Sequence, residues 1–537
     1  MIQSISIETV LGKQKIDFQN NQNHKIVISI NEIDLLKMDT LDIEIVFTVP
    51  IMQFRNHDYR WVDVKSNRIA NSFSPKIIKL QNGYLIQANQ NLGIWEVQKS
   101  NPNKLYWRFN PEFSKPITKY SFDNKKQVIQ AKNSLSFPEN LALLITQKNT
   151  IELSRSKIPF SAIACFTDHC DFDTDVNLKL QRAFFAKNKI KITKGFFLNH
   201  YSKRNDNASY QNQKEELDLW EKDGHEMAYH SLSQSIKSEQ ESFGNFETFS
   251  QVYQSPTWID HGFQPYNFSL YQNFTLSNSD FEIVLLKQKI STLWNYIDSG
   301  TASQGVINQL NTNHFTLNAF WKGTKNQNFS NRLQLMLKNS IFHYYADEKV
   351  IDNYKKTALT FKNIVYKKQF KLILKFFKNG LSLIKPLFFI FLFWYKHKNR
   401  PFKFAKFSPI SFKFKIDEHY FTLFQTIEML DFKNALSPKN IDLLISENGL
   451  FVAHTYFSAP MEYLKGRMFE NESKINDVVC ENFNYLSNKI SDNLIWNPTV
   501  NELMIHLTIF ENAIIDFDNN GDLYLKNSET IQFRKIS

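Results

Sequence analysis

Residues 163–174 read Ile-Ala-Cys-Phe-Thr-Asp-His-Cys-Asp-Phe-Asp-Thr. An apolar run stops abruptly in Asp168, His169, Asp171 and Asp173. Carboxylates and imidazoles bind divalent metals and carry protons near neutral pH. A buried strand that ends in them delivers this chemistry to one edge of a sheet, where α/β proteins place their sites. Two later stretches repeat the pattern. Gly224-His225-Glu226-Met227-Ala228-Tyr229-His230 and Thr257-Trp258-Ile259-Asp260-His261-Gly262 again look like short strands ending in His or Asp. Only 13 of the 537 residues are histidine, so their clustering carries weight. The plain structural reading of the first stretch is a strand, an Asp-rich turn and a helix capped by Thr174. Three such strand ends together favour a site.

The order and spacing of these motifs resemble the polysaccharide deacetylase (NodB-homology) family. Phe166-Thr167-Asp168-His169 lies over that family's T-F-D-D strand end, and residues 191–198 lie over its second strand. Gly224-His225-Glu226-Met227 and His230-Ser231-Leu232-Ser233-Gln234 lie over its G-H-E-I-x-x-H-[ST]-x-x-H element. A shorter match, Gly449-Leu450-Phe451-Val452-Ala453-His454, falls where the family carries a late catalytic histidine. Residues 1–150 and 330–415 have no counterpart.

The resemblance implies a distorted (β/α) barrel and a metal-dependent hydrolase that removes acyl groups, acetyl above all, from a sugar or glycan. It implies Asp168 as general base, His454 as general acid and His230 as a metal ligand. Two family ligands are replaced, one by His169 and one by Gln234. His261, with His169 or Asp171, could restore the three-ligand open site that catalytic zinc uses. The alternative is that the site no longer binds metal. Trp258 and Asp260, at the same strand end as His261, are the expected substrate-binding pair. His225 reads as structural, and Asp298 and Glu428 occupy further strand ends without an assigned role. Two other functions stay open. A glycoside hydrolase of the same superfamily would need paired carboxylates, for which Asp168 and Asp260 are the nearest candidates. A catalytically silent glycan-binding protein would fit the Gln234 replacement.

The elements that must position these residues are α/β. Thr174 can cap a helix with Val176, Leu180, Ala183 and Phe184 on one face. Residues 211–222 form a second helix, stopped by Gly224. Ser437-Pro438 starts a helix that Gly449 ends, and the strand at 450–453 then delivers His454. Asn497-Pro498 opens another helix, and Asn520-Gly521 makes a closing hairpin. This alternation, from about 151 to 535, predicts the barrel. Residues 1–150 read instead as a β-rich, sandwich-like accessory domain, with Asn82-Gly83 as a hairpin turn between residues 77–80 and 84–87. Trp61, Trp95 and Trp107 there are core residues first and a sugar-stacking face second.

At 537 residues with 42% hydrophobic and 15% aromatic content, the chain can build more than one core. Cys165, Cys170 and Cys480 make no disulfide framework, and the N-terminus has no secretory pattern, so a cytoplasmic location is expected. No G-x-G-x-x-G, P-loop or G-x-S-x-G is present, which disfavours nucleotide-binding and serine-hydrolase functions. The net charge of +11 is confined to one place. Residues 353–416 hold 16 of the 64 basic residues and no acidic one, leaving 48 basic against 53 acidic elsewhere. Phe and Trp crowd the same segment. Its longest apolar run, 386–395, is short against the ~20 residues that span a bilayer, and Lys385-Pro386 interrupts a longer one. The expectation is a basic, apolar insertion at the barrel's site mouth that lies on an anionic membrane. The enzyme would then be peripheral to the inner membrane face and its substrate a lipid-linked glycan. The apolar density argues against nucleic acid.

Overall fold

The computed structural model describes the chain except residues 10–11, 17–23, 31–37, 121–125, 132–134, 136, 139, 201–206, 233–237, 263–276, 302–306, 326, 342–347, 366, 408–409, 430, 460–467 and 527–529. Gln234 therefore lies outside the described residues.

The N-terminal part alternates buried and half-buried positions, as in Leu41–Phe47 and Lys104–Phe109, the pattern of strands with one face inward. Two six-stranded antiparallel sheets result. They close over one core that takes Ile43, Trp95 and Trp107 from one sheet and Phe54, Ile86 and Leu143 from the other. Trp95 and Trp107 are fully buried and meet edge to face at 5.5 Å, so they are packing residues. The turn between Ile77–Leu80 and Leu85–Ala88 carries Gly83 at φ +85°, a left-handed conformation that glycine adopts without strain.

The second part is a closed barrel of parallel strands. Its strands are β1 (Ala162–Asp168), β2 (Thr193–Phe196), β3 (Glu226–Tyr229), β4 (Thr257–Trp258), β5 (Thr292–Thr301), β6 (His419–Glu428) and β7 (Leu450–Thr455). They pair in that order, and β1 returns to both β7 and β2. A two-residue stub, β8 (Ile495–Trp496), pairs with the start of β1, at Ala162 and Ile163. β1, β2 and β7 are buried at every position, as parallel strands covered on both faces must be. Alternate residues serve two cores. Ile163 and Cys165 join Trp294 and Val452 inside the barrel, whereas Ala164 and Phe166 join Phe185 and Phe483 beneath the helices.

Helix α1 (Asp175–Lys187) begins at Thr174 with a capping box to Asn177. Its inner face is Asn177, Leu178, Gln181 and Phe185, while Val176 and Ala183 are exposed. The expected apolar face is thus rotated, because Gln181 is drawn inward by a buried ionic network. α2 (Tyr210–Lys222) stops two residues before Gly224, which has φ +88°. The helix Pro438–Ser446 ends through Asn448 at φ +43°, not through Gly449. Gly449 is instead wedged against Leu444 and Asn308, where a Cβ would come within 2.6 and 2.7 Å.

The basic segment forms two long helices, α3 (Glu348–Val365) and α4 (Ile373–His397), packed side by side. Pro386 sits inside α4 without ending it, so the apolar stretch is one continuous helix rather than a ten-residue run. The end of the segment is not an excursion. Ser411–Ile416 pairs antiparallel with β6 and belongs to the barrel sheet. Likewise, the last strand of the chain, Phe533–Ile536, pairs with Thr150–Leu153 at the junction between the two parts.

Candidate metal centre

The period of two along β1 decides which ionisable groups face the barrel lumen. Asp168 continues the outer set of Ala164 and Phe166. It is fully buried and ion-paired with Lys194, and it accepts from Phe457 N at 3.0 Å and Thr455 Oγ1 at 3.2 Å. Lys194 also donates to Asp173 Oδ2 at 2.6 Å and Gln181 Oε1 at 3.2 Å. Burial alone would lower the Lys194 pKa, but the Asp168 and Asp173 carboxylates outweigh it and hold it above its ordinary value. The structure therefore turns Asp168 away from the position of a general base and into a buried ionic network.

His169 belongs to the opposite, lumen-facing set. Its ring lies 4.4 Å from that of His230 and 4.2 Å from that of His454. His169, Asp171 and His230 offer ligand atoms that all lie within 4.8 Å of one another, and all three residues are buried. His230 Nε2 meets Asp171 Oδ2 at 3.0 Å, and His261 Nε2 meets Asp171 Oδ1 at 3.1 Å. His230 Nδ1 faces the Ile259 carbonyl at 3.0 Å. That bond fixes the ring so that Nε2 points at the carboxylate, the usual arrangement behind a metal-binding histidine. Gly195 makes room for this group. A Cβ there would lie 2.6 Å from the Asp168 carbonyl oxygen, 3.3 Å from His230 Cβ and 3.6 Å from His169 Cα.

The electrostatics suit a cation. Burial pushes His169 well below its ordinary pKa, and neighbouring His454 and His230 push further, so it is neutral with a lone pair to give. Its Nδ1 is buried with no hydrogen-bond partner among the described residues. Burial works to raise the Asp171 carboxyl, but bonds from His230 and His261 outweigh it and hold it well below the usual range. A buried His-Asp-His group with an unpartnered imidazole nitrogen could hold a metal ion, and nitrogen with carboxylate oxygen is a donor set that suits zinc.

His454, at the end of β7, has Nδ1 3.2 Å from both oxygens of Asp298 on β5. Trp294 and Tyr456 wall this pair, with ring distances to His454 of 4.8 and 5.1 Å. The strand ends thus bring His169, Asp171, His230, His261 and His454 to one place. Trp258 and Asp260 are placed elsewhere. Both are fully buried, the Trp258 indole donates to Asp260 Oδ1 at 2.6 Å, and Trp258 stacks on Tyr229, so neither presents a surface to a substrate. His225 Nδ1 accepts from Ile192 N at 3.2 Å, a backbone-holding contact. Glu428 ends β6 opposite His454. Lys194, Trp294 and Tyr456 are contributions that motif reading missed. Asp298 carried a faint signal, since it falls in a strand-like run.

No protein-family model and no curated protein matches the chain. Among solved structures, a xylosidase from Aspergillus niger aligns with 9% identity and a TM-score of 0.20. The alignment covers 54% of this chain and 41% of that one, less than half of the xylosidase, and likeness at this level carries no argument.

Proposed function

We propose that the cluster is the divalent-metal site, for zinc by its donors, of a hydrolase that removes acyl groups from a sugar or glycan. The observation that carries this reading is the convergence of His169, Asp171 and His230 within 4.8 Å, with the His454–Asp298 pair beside them. The motif resemblance supplies the acylated sugar as substrate class. Three of the residues His169, Asp171, His230 and His261 would serve as ligands. A bound ion there would polarise the acyl carbonyl and acidify a water. His454 is the group placed to move a proton. Asp298 holds its Nδ1, which fixes the ring's tautomer and assigns the transfer to Nε2. Tyr456, half-buried beside His169 and His454, gives the sugar a flat apolar wall. Asp168 supports the strand end from outside.

Glycoside hydrolysis is less well supported. It needs two carboxylates facing each other across a bond, and the pair marked by the sequence is engaged otherwise, Asp168 with Lys194 and Asp260 with the Trp258 indole. The test is direct. The full chain dialysed against zinc should retain about one equivalent, as one three-ligand site would. It should release acetate, not reducing sugar, from N-acetylglucosamine oligomers or O-acetylated xylan. His230→Ala should lose metal and turnover together. Asp298→Asn should keep the metal and lose roughly 100-fold or more in kcat, the usual worth of a positioned proton carrier. A wild-type chain that binds no metal under these conditions would end the proposal.

A further inference from the structure

An exposed helix face is normally polar. That of α4 is not. Leu374, Phe377, Leu381, Ile384, Phe388 and Tyr395 recur at intervals of three, four or seven, and each is between 60% and 83% exposed. On the opposite side, Leu383 and Ile390 are buried against Val350 of α3 and Ile341. Beside the exposed stripe runs a second one of Lys378, Lys385 and Lys396, with no acidic residue anywhere between 353 and 416. The segment Phe370–His397 is long and apolar enough to cross a membrane, its most apolar 18 residues having a mean hydropathy of 1.5 with 11% of them buried. Its packing argues for a different placement. The C-terminal half is fastened side-on to the body, with Trp394 set against Trp321 at 5.5 Å and Phe393 against the barrel core. Two lysines also fall in its middle.

We propose that α4 is a membrane-docking helix that lies in the plane of an anionic bilayer. Its exposed apolar stripe sinks into the boundary between headgroups and acyl chains, and its lysine stripe reaches lipid phosphates. Lysine suits this position because its methylene stem accompanies the apolar face while the ammonium reaches outward. The charge pattern selects the occupant. A stripe of lysines without a carboxylate repels a second copy of itself and attracts anionic lipid. This inference stands apart from the hydrolase reading, since it needs neither metal nor turnover.

The full chain should be centrifuged with vesicles of phosphatidylcholine alone and with vesicles that also contain phosphatidylglycerol. It should pellet with the mixed vesicles at low salt and be released by high salt or by alkaline carbonate. Lys378→Gln, Lys385→Gln and Lys396→Gln together should weaken partitioning roughly 100-fold. Leu381→Glu, Ile384→Glu and Phe388→Glu together should abolish it, with metal content and thermal unfolding midpoint unchanged because all three side chains face solvent. Wild-type protein that stays in the supernatant overturns the proposal, as does a glutamate variant that still pellets. Resistance to carbonate would instead show a spanning helix. A vesicle-free dimer that the glutamate substitutions split would show that a second copy covers the stripe.

Discussion

Lys194 brings one positive charge to two buried carboxylates, and every member of that group is closed to solvent. Removing the cation strands Asp168 and Asp173 in a medium that tolerates unpaired charge poorly. Lys194→Met should therefore cost about 3–5 kcal/mol in urea unfolding, more than a lost surface ion pair could. If Asp168 were an unpaired catalytic base, the same substitution would alter the pH–rate profile and spare stability. Gly195→Ala tests the other side of the strand. The added methyl meets the Asp168 carbonyl oxygen and His230 Cβ, so metal affinity should fall at least tenfold, in line with other disturbances just outside a ligand shell. The convergence of His169, Asp171, His230 and His261 was legible because each follows an apolar run. The direction of Asp168 was not, because one step along a strand reverses a side chain and only pairing with β2 sets which residue faces the lumen. The pairing of Asp298 with His454 was equally hidden, since 156 residues separate them in sequence.

Elements show the same division. The Thr174, Ser437 and Gly224 signals marked helix ends that the structure contains, because caps are local chemistry. The inner face of α1 was misread because apolar periodicity cannot anticipate a buried glutamine. Gln181 earns its inward place by bonding Asp173 Oδ1 at 2.8 Å and Ser458 at 2.6 Å. The helix Val500–Asn512 carries a similar polar intrusion. His506 packs edge to face on Trp496 at 5.0 Å, and its Nε2 is buried with no hydrogen-bond partner among the described residues. Burial, then Lys157, lowers its pKa to about 4 from an ordinary 6.5. The folded state thus refuses a proton that the unfolded chain accepts between these values, so His506 withdraws stability as pH falls from about 6.5 to about 4. The full loss is on the order of 3 kcal/mol. His506→Gln should flatten the pH dependence of the urea midpoint in that window. Identical slopes for variant and wild type would show that the imidazole is solvated or paired.

At the scale of the molecule, alternation and strand–helix succession made both the sandwich and the barrel legible, but not the seam that joins them. That seam is built on backbone carbonyls, which carry no signature in sequence. Arg155, fully buried, donates to the carbonyls of His57 at 2.5 Å and Phe73 at 3.2 Å in the sandwich and of Asn448 in the barrel, and its guanidinium lies 4.4 Å from the Tyr59 ring. Next to it Glu152 accepts from Arg55 at 2.5 Å and from Arg534 of the last strand at 2.8 Å, so three distant parts of the chain share one charge network. A barrel and a sandwich held by ordinary surface contacts would move and unfold independently. Three carbonyls bound to one buried cation couple them, because separating the two parts takes the donor away from the carbonyls of one side. Arg155→Leu keeps the volume and removes the donors, with an expected cost of about 1–3 kcal/mol for each group left unsatisfied. Calorimetry should show a single transition for the wild-type chain and two for the variant, with the sandwich and barrel melting apart. A variant that still melts in one step at an unchanged temperature would place the coupling elsewhere, in the pairing of Thr150–Leu153 with Phe533–Ile536.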